Sequence, residues 1–252
     1  MIKITLKDGS VKEIENKMSV LDIAKSISEG LARMATAGEV NGEVKDLRYV
    51  VEEDSSLNIL TFESSLEGKK AYWHTTSHIM AQAVKRLFPN VKLAIGPAID
   101  EGFYYDFDVE KPFTDEDKAK IEEEMKKIIK EDLSIERFEL PREEALKLMS
   151  DMGEDYKVEL INELPEDSVI SFYKQGDFVD LCAGPHLAST GKVKAVKILS
   201  SSGAYWKGNE KNKMLQRIYA ISFPKASLLE EHINMLEEAR RRDHNKLGRE
   251  LE

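Results

Sequence analysis

His74 and His78 stand four residues apart at the head of an apolar helical repeat. About a hundred residues on, Cys182 and His186 are again four apart, but Gly184-Pro185 lies between them and excludes a regular helix there. A fold that unites the four has to carry one pair on a helix and the other on a loop at a strand end. The helical repeat is Ile79, Met80, Ala83, Val84, Leu87 and Phe88, and Pro89-Asn90 ends it. At the helical period the two imidazoles fall roughly 130–170° from this stripe, pointing away from the helix's own core contact. Solvated surface histidines would show the same pattern. What favours a site is that Cys182 is the only cysteine of the chain and His186 one of three other histidines.

A chain of 252 residues, 41% hydrophobic and 33% charged, has room for one sizeable core or two smaller ones. No apolar run reaches the roughly 18 residues of a membrane span, and Met1 to Lys7 alternates like a strand, quite unlike a signal peptide. One cysteine excludes an internal disulfide framework, so the expectation is a cytoplasmic protein with no membrane partner. A formal charge of −10 argues against a general nucleic-acid coat protein and leaves local basic patches open.

Residues 1–62 read as a small α+β unit. Ile2–Leu6 and Val11–Ile14 form a hairpin about Asp8-Gly9, and Ser19 caps a helix with Val20, Ile23, Ala24, Ile27 and Leu31 on one face. Strands near Ala37–Val40 and Ser56–Thr61 follow, with Asn41-Gly42 as a further hairpin turn. Strand, strand, helix, strand, strand is a β-grasp (ubiquitin-like) pattern. It holds no histidine or cysteine, and its acids fall on positions expected to be exposed, so it reads as a docking appendage or a structural cap.

A larger α+β domain follows over 63–225. Ala94 to Pro97 and Phe103 to Asp108 read as strands, the second with Phe103, Tyr105 and Phe107 on its core face. Thr114 with Asp117 makes a capping box for a helix running to about Asp132, with Ile121, Met125, Ile128 and Ile129 inward, and Pro141 opens another helix that ends near Gly153. Asp155-Tyr156-Lys157 starts a short helix. Val169–Tyr173 and Phe178–Cys182 pair as antiparallel strands about Gln175-Gly176, so Asp180 and Cys182 share a face. By residue type, His74, His78, Cys182 and His186 suit zinc, and they equally suit a metal-free hydrolytic site in which imidazoles, a thiol and an ammonium activate water. From Gly191 to Arg217 seven cations, among them Lys207, Lys211, Lys213 and Arg217, face the single acid Glu210, with Tyr205 and Trp206 between them. Such a strip is either a solvated face or a contact for a single-stranded nucleic-acid end. Beyond Pro224, 226–252 reads as one long helix to Leu251, with Leu228, Leu229, Ile233, Leu236 and Ala239 on a stripe and no cap at its end.

Taken together, His74-Thr75-Thr76-Ser77-His78, Ile95-Gly96-Pro97 with Gly102-Phe103-Tyr104-Tyr105-Asp106-Phe107, Asp155-Tyr156-Lys157, Val179-Asp180-Leu181-Cys182 with Gly184-Pro185-His186, and Gly203-Ala204-Tyr205-Trp206 with Asn212 to Tyr219 resemble the amino-terminal half of the bacterial threonyl-tRNA synthetases. The resemblance runs the length of the chain. It implies that 1–62 is a TGS module, 63–225 an editing domain with an antiparallel sheet, and 226–252 a linker helix toward a catalytic core that this chain lacks. The ATP site and zinc of aminoacylation belong to that core, so no aminoacylation is expected here. The implied reaction is hydrolysis of serine wrongly esterified to threonine tRNA, with His74, His78, Lys157, Asp180, Cys182 and His186 in the hydrolytic site. Gly96 and Tyr105 are then expected at the wall near the terminal adenosine, and Lys207, Lys211, Lys213 and Arg217 at the tRNA. The expected partners are threonine tRNA through its aminoacylated 3′ end, the serine moiety as substrate, and a second subunit of the intact enzyme. Members of the family are taken to edit without a metal here, while the similar set in alanyl-tRNA synthetase editing domains keeps zinc as the alternative. Ala183 stands where many members carry arginine.

Overall fold

The computed structural model describes residues 1–250. Its first module opens with the hairpin β1 (Ile2–Leu6) and β2 (Val11–Ile14), followed by β3 (Met18–Ser19) and α1 (Val20–Ile27). The Ser19 hydroxyl accepts the Asp22 N–H at 3.1 Å and so caps the helix. The helix does not run to Leu31 as the apolar spacing predicts. Ser28 takes an extended backbone at φ −165°, and its side chain caps a separate helix, α2 (Glu29–Met34), because a serine in that geometry satisfies the new N-terminus better than it continues the old helix. Then come β4 (Ala35–Val40), the Asn41-Gly42 turn, β5 (Glu43–Lys45), β6 (Val50–Val51) and β7 (Ser55–Thr61). Both turn residues have positive φ, 50° and 84°, as a two-residue hairpin turn requires. The sheet order is β2-β1-β7-β4-β5 with β1 and β7 parallel, the β-grasp arrangement, closed over Ile4, Val20, Ile23, Leu47 and Leu57.

The centre of the molecule is α3 (Leu66–Leu87), capped by Ser65 through the Gly68 N–H at 3.0 Å. It starts two turns before His74. It is also buried around almost its whole circumference from Ala71 to Val84, so burial is not confined to the apolar stripe and the alternative of solvated surface histidines does not hold. The polar residues responsible are Thr75, Thr76 and Ser77, whose hydroxyls bond backbone carbonyls one turn back at 3.0, 3.0 and 2.8 Å and are thereby fit for burial. Against α3 pack β4 and β7 of the first module, the second sheet, and α4.

Beyond α3 the chain forms β8 (Lys92–Leu93), β9 (Ala98–Ile99), β10 (Gly102–Asp108), α4 (Asp115–Glu131), β11 (Ile135–Glu139), α5 (Arg142–Asp151), α6 (Asp155–Glu163), β12 (Ser171–Gln175), β13 (Phe178–Leu181), β14 (Ala195–Tyr205), β15 (Met214–Phe223) and α7 (Ala226–Glu250). One antiparallel sheet has the order β14-β15-β10-β8 with β9 also on β10, and a second is β11-β12-β13. Ala94 to Pro97, expected as a strand, is irregular, yet the Ala94 N–H and Ile95 carbonyl still bond Asp106 of β10 at 2.9 and 2.8 Å. The Thr114–Asp117 capping box is formed in both directions. β11 went unread in the sequence because Ile135 to Glu139 mixes charge with apolar residues. On α7, Leu228, Leu229, Ile233 and Leu236 are half-buried and Ala239 is exposed; Leu251, its expected last residue, lies outside the described residues. No described helix is long and apolar enough to cross a membrane.

The burial of α3 makes a direct prediction at Thr76, whose hydroxyl meets that of Ser222 at 2.8 Å with both residues fully enclosed. Thr76→Val keeps the shape and strands the Ser222 hydroxyl, so urea unfolding should show a loss of about 1–3 kcal/mol. A change within about 0.5 kcal/mol, the usual surface value, would mean that this face of the helix is solvated.

Candidate active site

Two turns of α3 present His74 and His78, and the chain leaving β13 presents Cys182 and His186. The ligating atoms of all four lie within 4.8 Å of one another. The Cys182 sulfur stands 3.2 Å from His74 Nε2 and 3.1 Å from His186 Nε2, and accepts the Gly184 N–H at 3.2 Å. Burial pushes the Cys182 thiol well above its ordinary range, so it remains S–H. The three imidazoles are driven the other way. Burial and then the neighbouring His78 lower His74 to about 3, although its edge reaches solvent; burial lowers His78 to about 4; burial with His78 and His74 holds His186 well below its ordinary value.

Counting donors assigns the protons. Thr75 gives its one hydroxyl proton to the Ala71 carbonyl at 3.0 Å and accepts the Leu187 N–H at 2.9 Å, so toward His186 Nδ1 at 3.2 Å it acts as an acceptor. His186 is therefore protonated on Nδ1, and its Nε2 accepts the Cys182 S–H. The sulfur in turn accepts from His74 Nε2–H, which leaves His74 Nδ1 as a basic lone pair. His78 directs Nε2 at Asp180 at 3.4 Å, and its Nδ1 has no partner among the described residues.

The charged half of the site is one ion pair. Asp180 on β13 takes Lys157 of α6 on Oδ1 at 2.9 Å and the Tyr105 hydroxyl on Oδ2 at 2.6 Å, while Lys157 also donates to Tyr105 oxygen at 3.0 Å. Burial alone would raise the Asp180 carboxyl, but Lys157, His78 and Tyr105 outweigh it and hold the group below its ordinary value. Burial, then Asp180, pushes the Tyr105 phenol well up. Glu154 fixes where Lys157 begins its turn: this buried acid takes Lys85 of α3 at 2.7 Å and the Leu93 N–H at 2.8 Å, tying the start of α6 to the helix and the sheet.

His74, His78, Lys157, Asp180 and Cys182 open on a cleft of about 470 Å³, with Gly96, Pro97 and Ala183 on its other walls. His186 and Tyr105 stand behind this lining, wholly buried. Gly96 has a steric reason: a Cβ there would come within 2.1 Å of the Tyr105 ring. The remaining expected site residues lie elsewhere. Lys207 pairs with Glu159 at 2.7 Å and with Glu163, Lys213 with Asp108 at 2.6 Å, and Arg217 with Asp106 at 2.7 Å. Only Lys211 of the four has no carboxylate partner among the described residues. The local surplus counted along the chain is thus largely offset by acids that β10 and α6 bring alongside, and Trp206, expected as a stacking face, is buried.

A TGS domain matches residues 2–61, and the threonyl and alanyl tRNA synthetase second additional domain matches 170–219. The threonine–tRNA ligase of Acetivibrio thermocellus is 69% identical over all 252 residues, that of Caldanaerobacter subterraneus 66% over 249, and that of Clostridium perfringens 66% over 251. The chain belongs to the threonyl-tRNA synthetase family. It spans about 40% of the length of these curated relatives.

Sequence reasoning found the two histidine-bearing motifs, Lys157 and Asp180. It missed Asp46 and Arg48 of the first module, which reach the His186 loop: the Asp46 carboxylate accepts the His186 N–H at 3.0 Å, and Arg48 donates to the His186 carbonyl at 3.2 Å. Nothing in their spacing could have marked them.

Imidazoles lowered by folding imply acid sensitivity. Above the unfolded value near 6.5 both states are neutral and the site contributes fully; as pH falls from there toward 4, the unfolded chain takes up protons that the folded one refuses, and stability drops. The melting temperature should therefore decline between pH 6.5 and 5, before most carboxylates titrate, and the decline should be shallower in His78→Gln. Identical slopes in both proteins would contradict buried neutral imidazoles.

Proposed function

We propose that this chain hydrolyses the ester joining serine to threonine tRNA, the proofreading step that complements threonine attachment. The observation that carries this reading is the convergence of the neutral His74–Cys182–His186 line and the Lys157–Asp180 pair on one cleft. Serine lacks one methyl relative to threonine, and a binding pocket rejects the smaller side chain by only about 1–3 kcal/mol, so a second hydrolytic site that excludes the larger group supplies the missing discrimination.

In the proposed step, water in the cleft donates to His74 Nδ1 and attacks the ester carbonyl. The imidazole takes the water proton as the new C–O bond forms and returns it to the ribose oxygen as the old one breaks, giving free serine and tRNA. Cys182 holds the ring through sulfur, with His186 and Thr75 behind it. Asp180 and Lys157 orient the substrate's amino group and the water. The tRNA enters as the partner of the whole family, and Lys211, the one of the four expected tRNA contacts without a carboxylate partner among the described residues, is the residue we assign to a phosphate; Lys207, Lys213 and Arg217 hold the β14–β15 hairpin to the acids beneath it. The location that suits this substrate is the cytoplasm.

The reading is metal-free. A tetrahedral zinc would set sulfur and nitrogen ligands roughly 3.5 Å apart, wider than the 3.1 and 3.2 Å observed. Hydrogen bonding among the donors therefore fits the site better than a shared ion.

Single-turnover deacylation of serine-charged threonine tRNA tests the reading. His74→Ala and Cys182→Ala should each slow the reaction by about 10²-fold or more with melting temperatures near that of the unmodified protein, and treatment with a chelator should leave the rate unchanged. Because His74 is held to about 3, the rate should show no acid limb near pH 6.5. An unaltered rate in a folded His74→Ala protein would refute the mechanism, and loss of activity on chelation would return zinc to the site.

A further inference from the structure

We infer that Asp46 and Arg48 of the β-grasp module are positioning residues for His186, so that the hydrolytic site is built jointly by both parts of the chain. The inference rests on the proposed role of the His74–Cys182–His186 line. β13 ends at Leu181, and the loop after it runs through Pro185 without a strand partner across His186, so the backbone of a buried imidazole needs hydrogen bonds from elsewhere. The segment between β5 and β6 supplies them.

Asp46 accepts four bonds. On Oδ2 it takes the His186 N–H at 3.0 Å and the Tyr173 hydroxyl at 2.7 Å; on Oδ1 it takes the Arg48 N–H at 2.8 Å and its guanidinium at 2.9 Å. The Arg48 fork then reaches three carbonyls: Ile135 through Nε at 2.9 Å, His186 at 3.2 Å and Leu187 at 2.7 Å. Both backbone polar groups of His186 are thus held by the other module. Tyr173, fixed by its bond to Asp46, lays its ring against the His186 imidazole with centroids 4.1 Å apart, and the Arg48 guanidinium lies over the Tyr173 ring, 5.8 Å from its centroid. Serving three acceptors at once takes the planar fork of arginine, which a lysine's single nitrogen cannot reproduce.

Neither residue lines the cleft, and neither does His186. Their effect passes through the Thr75–His186–Cys182 line, where the imidazole keeps its proton on Nδ1 and presents Nε2 to the thiol. Loss of the clamp should therefore alter the bond-making rate rather than substrate capture. The module itself stays docked without the clamp, because Ala37, Leu60 and Ala71 bury an apolar contact between its sheet and α3.

The test compares the unmodified 252-residue protein with Asp46→Asn, Arg48→Lys and Arg48→Ala. Single-turnover deacylation of serine-charged threonine tRNA over a range of protein concentrations separates the saturating rate from half-saturation, and ¹⁵N imidazole spectra report the tautomer of His186. Asp46→Asn and Arg48→Ala should lower the saturating rate tenfold or more, with half-saturation within twofold and the His186 resonances moved away from the Nδ1–H pattern. His232 and His244, remote from the site, should be unmoved. Arg48→Lys should fail to restore the rate, and if Arg48→Ala melts too low to assay, this milder variant decides. Unchanged His186 resonances in folded variants would overturn the inference, as would a loss confined to half-saturation. If the unmodified protein does not deacylate at all, the proposed function fails, and the imidazole spectra still decide whether the clamp positions His186.

Discussion

A helix buried around almost its whole circumference needs partners for the polar groups it carries, and α3 finds them, His78 Nδ1 excepted, by fastening a different segment of the chain at each turn. Trp73 donates its indole N–H to the Ser222 carbonyl at 2.8 Å, securing β15. Thr75 holds Leu187 and His186, Thr76 the Ser222 hydroxyl, Ser77 the Gly96 carbonyl at 2.9 Å, and Gln82 the end of β12 through Gln175 at 3.2 Å. One of these anchors, Gly96, is a wall of the cleft, and another, Leu187, adjoins the buried His186 behind it. The same requirement that lets a threonine- and serine-rich helix lie at the centre therefore also places the loop that carries Cys182 and His186.

Within the site, low polarity sorts the titratable groups into two halves. Where no counter-charge is close, burial keeps His74, His186 and Cys182 neutral, and they hold one another by donor and acceptor complementarity. Where charge survives, it survives as a pair: Asp180 stays ionised because Lys157 and the Tyr105 hydroxyl meet both of its oxygens. His78 bridges the halves, its ring 4.4 Å from that of His186 and its Nε2 toward Asp180. This arrangement explains why removing one member of the set would be felt by the others, since each proton position is fixed by the next residue in line.

Much of the local architecture was legible because its causes are local. Ser19, the Thr114–Asp117 box and Asn41-Gly42 act within four residues, and each cap or turn lies where the sequence puts it. The HxxxH and CxxxH spacings were legible as chemistry, and the strand parity that sets Asp180 and Cys182 on one face is a property of the period alone. Other features were not legible, and two of them concern the site and its surroundings. The stripe on α3 was read from apolar residues only, which hides that Thr75, Thr76 and Ser77 can be buried once their hydroxyls are bonded. The basic strip was summed along the chain, whereas Lys207, Lys213 and Arg217 answer to Glu159, Asp108 and Asp106, acids from 44 or more residues away.

The same distinction explains why the first module looked inert. A residue that acts by holding another chain segment leaves no spacing signal of its own, because its partner is set by the fold. Asp46 and Arg48 are two residues apart in a short connection, a pattern shared with countless surface turns, yet their acceptors and donors lie 87 to 140 residues away. A loop interrupted by proline cannot be held by a sheet ladder, and a buried imidazole on such a loop keeps its orientation only if something else binds its backbone. A carboxylate and a guanidinium already bonded to each other can do this. Each satisfies part of the other's charge, so the free donors and acceptors can be turned to neutral backbone groups without leaving an isolated charge at the junction.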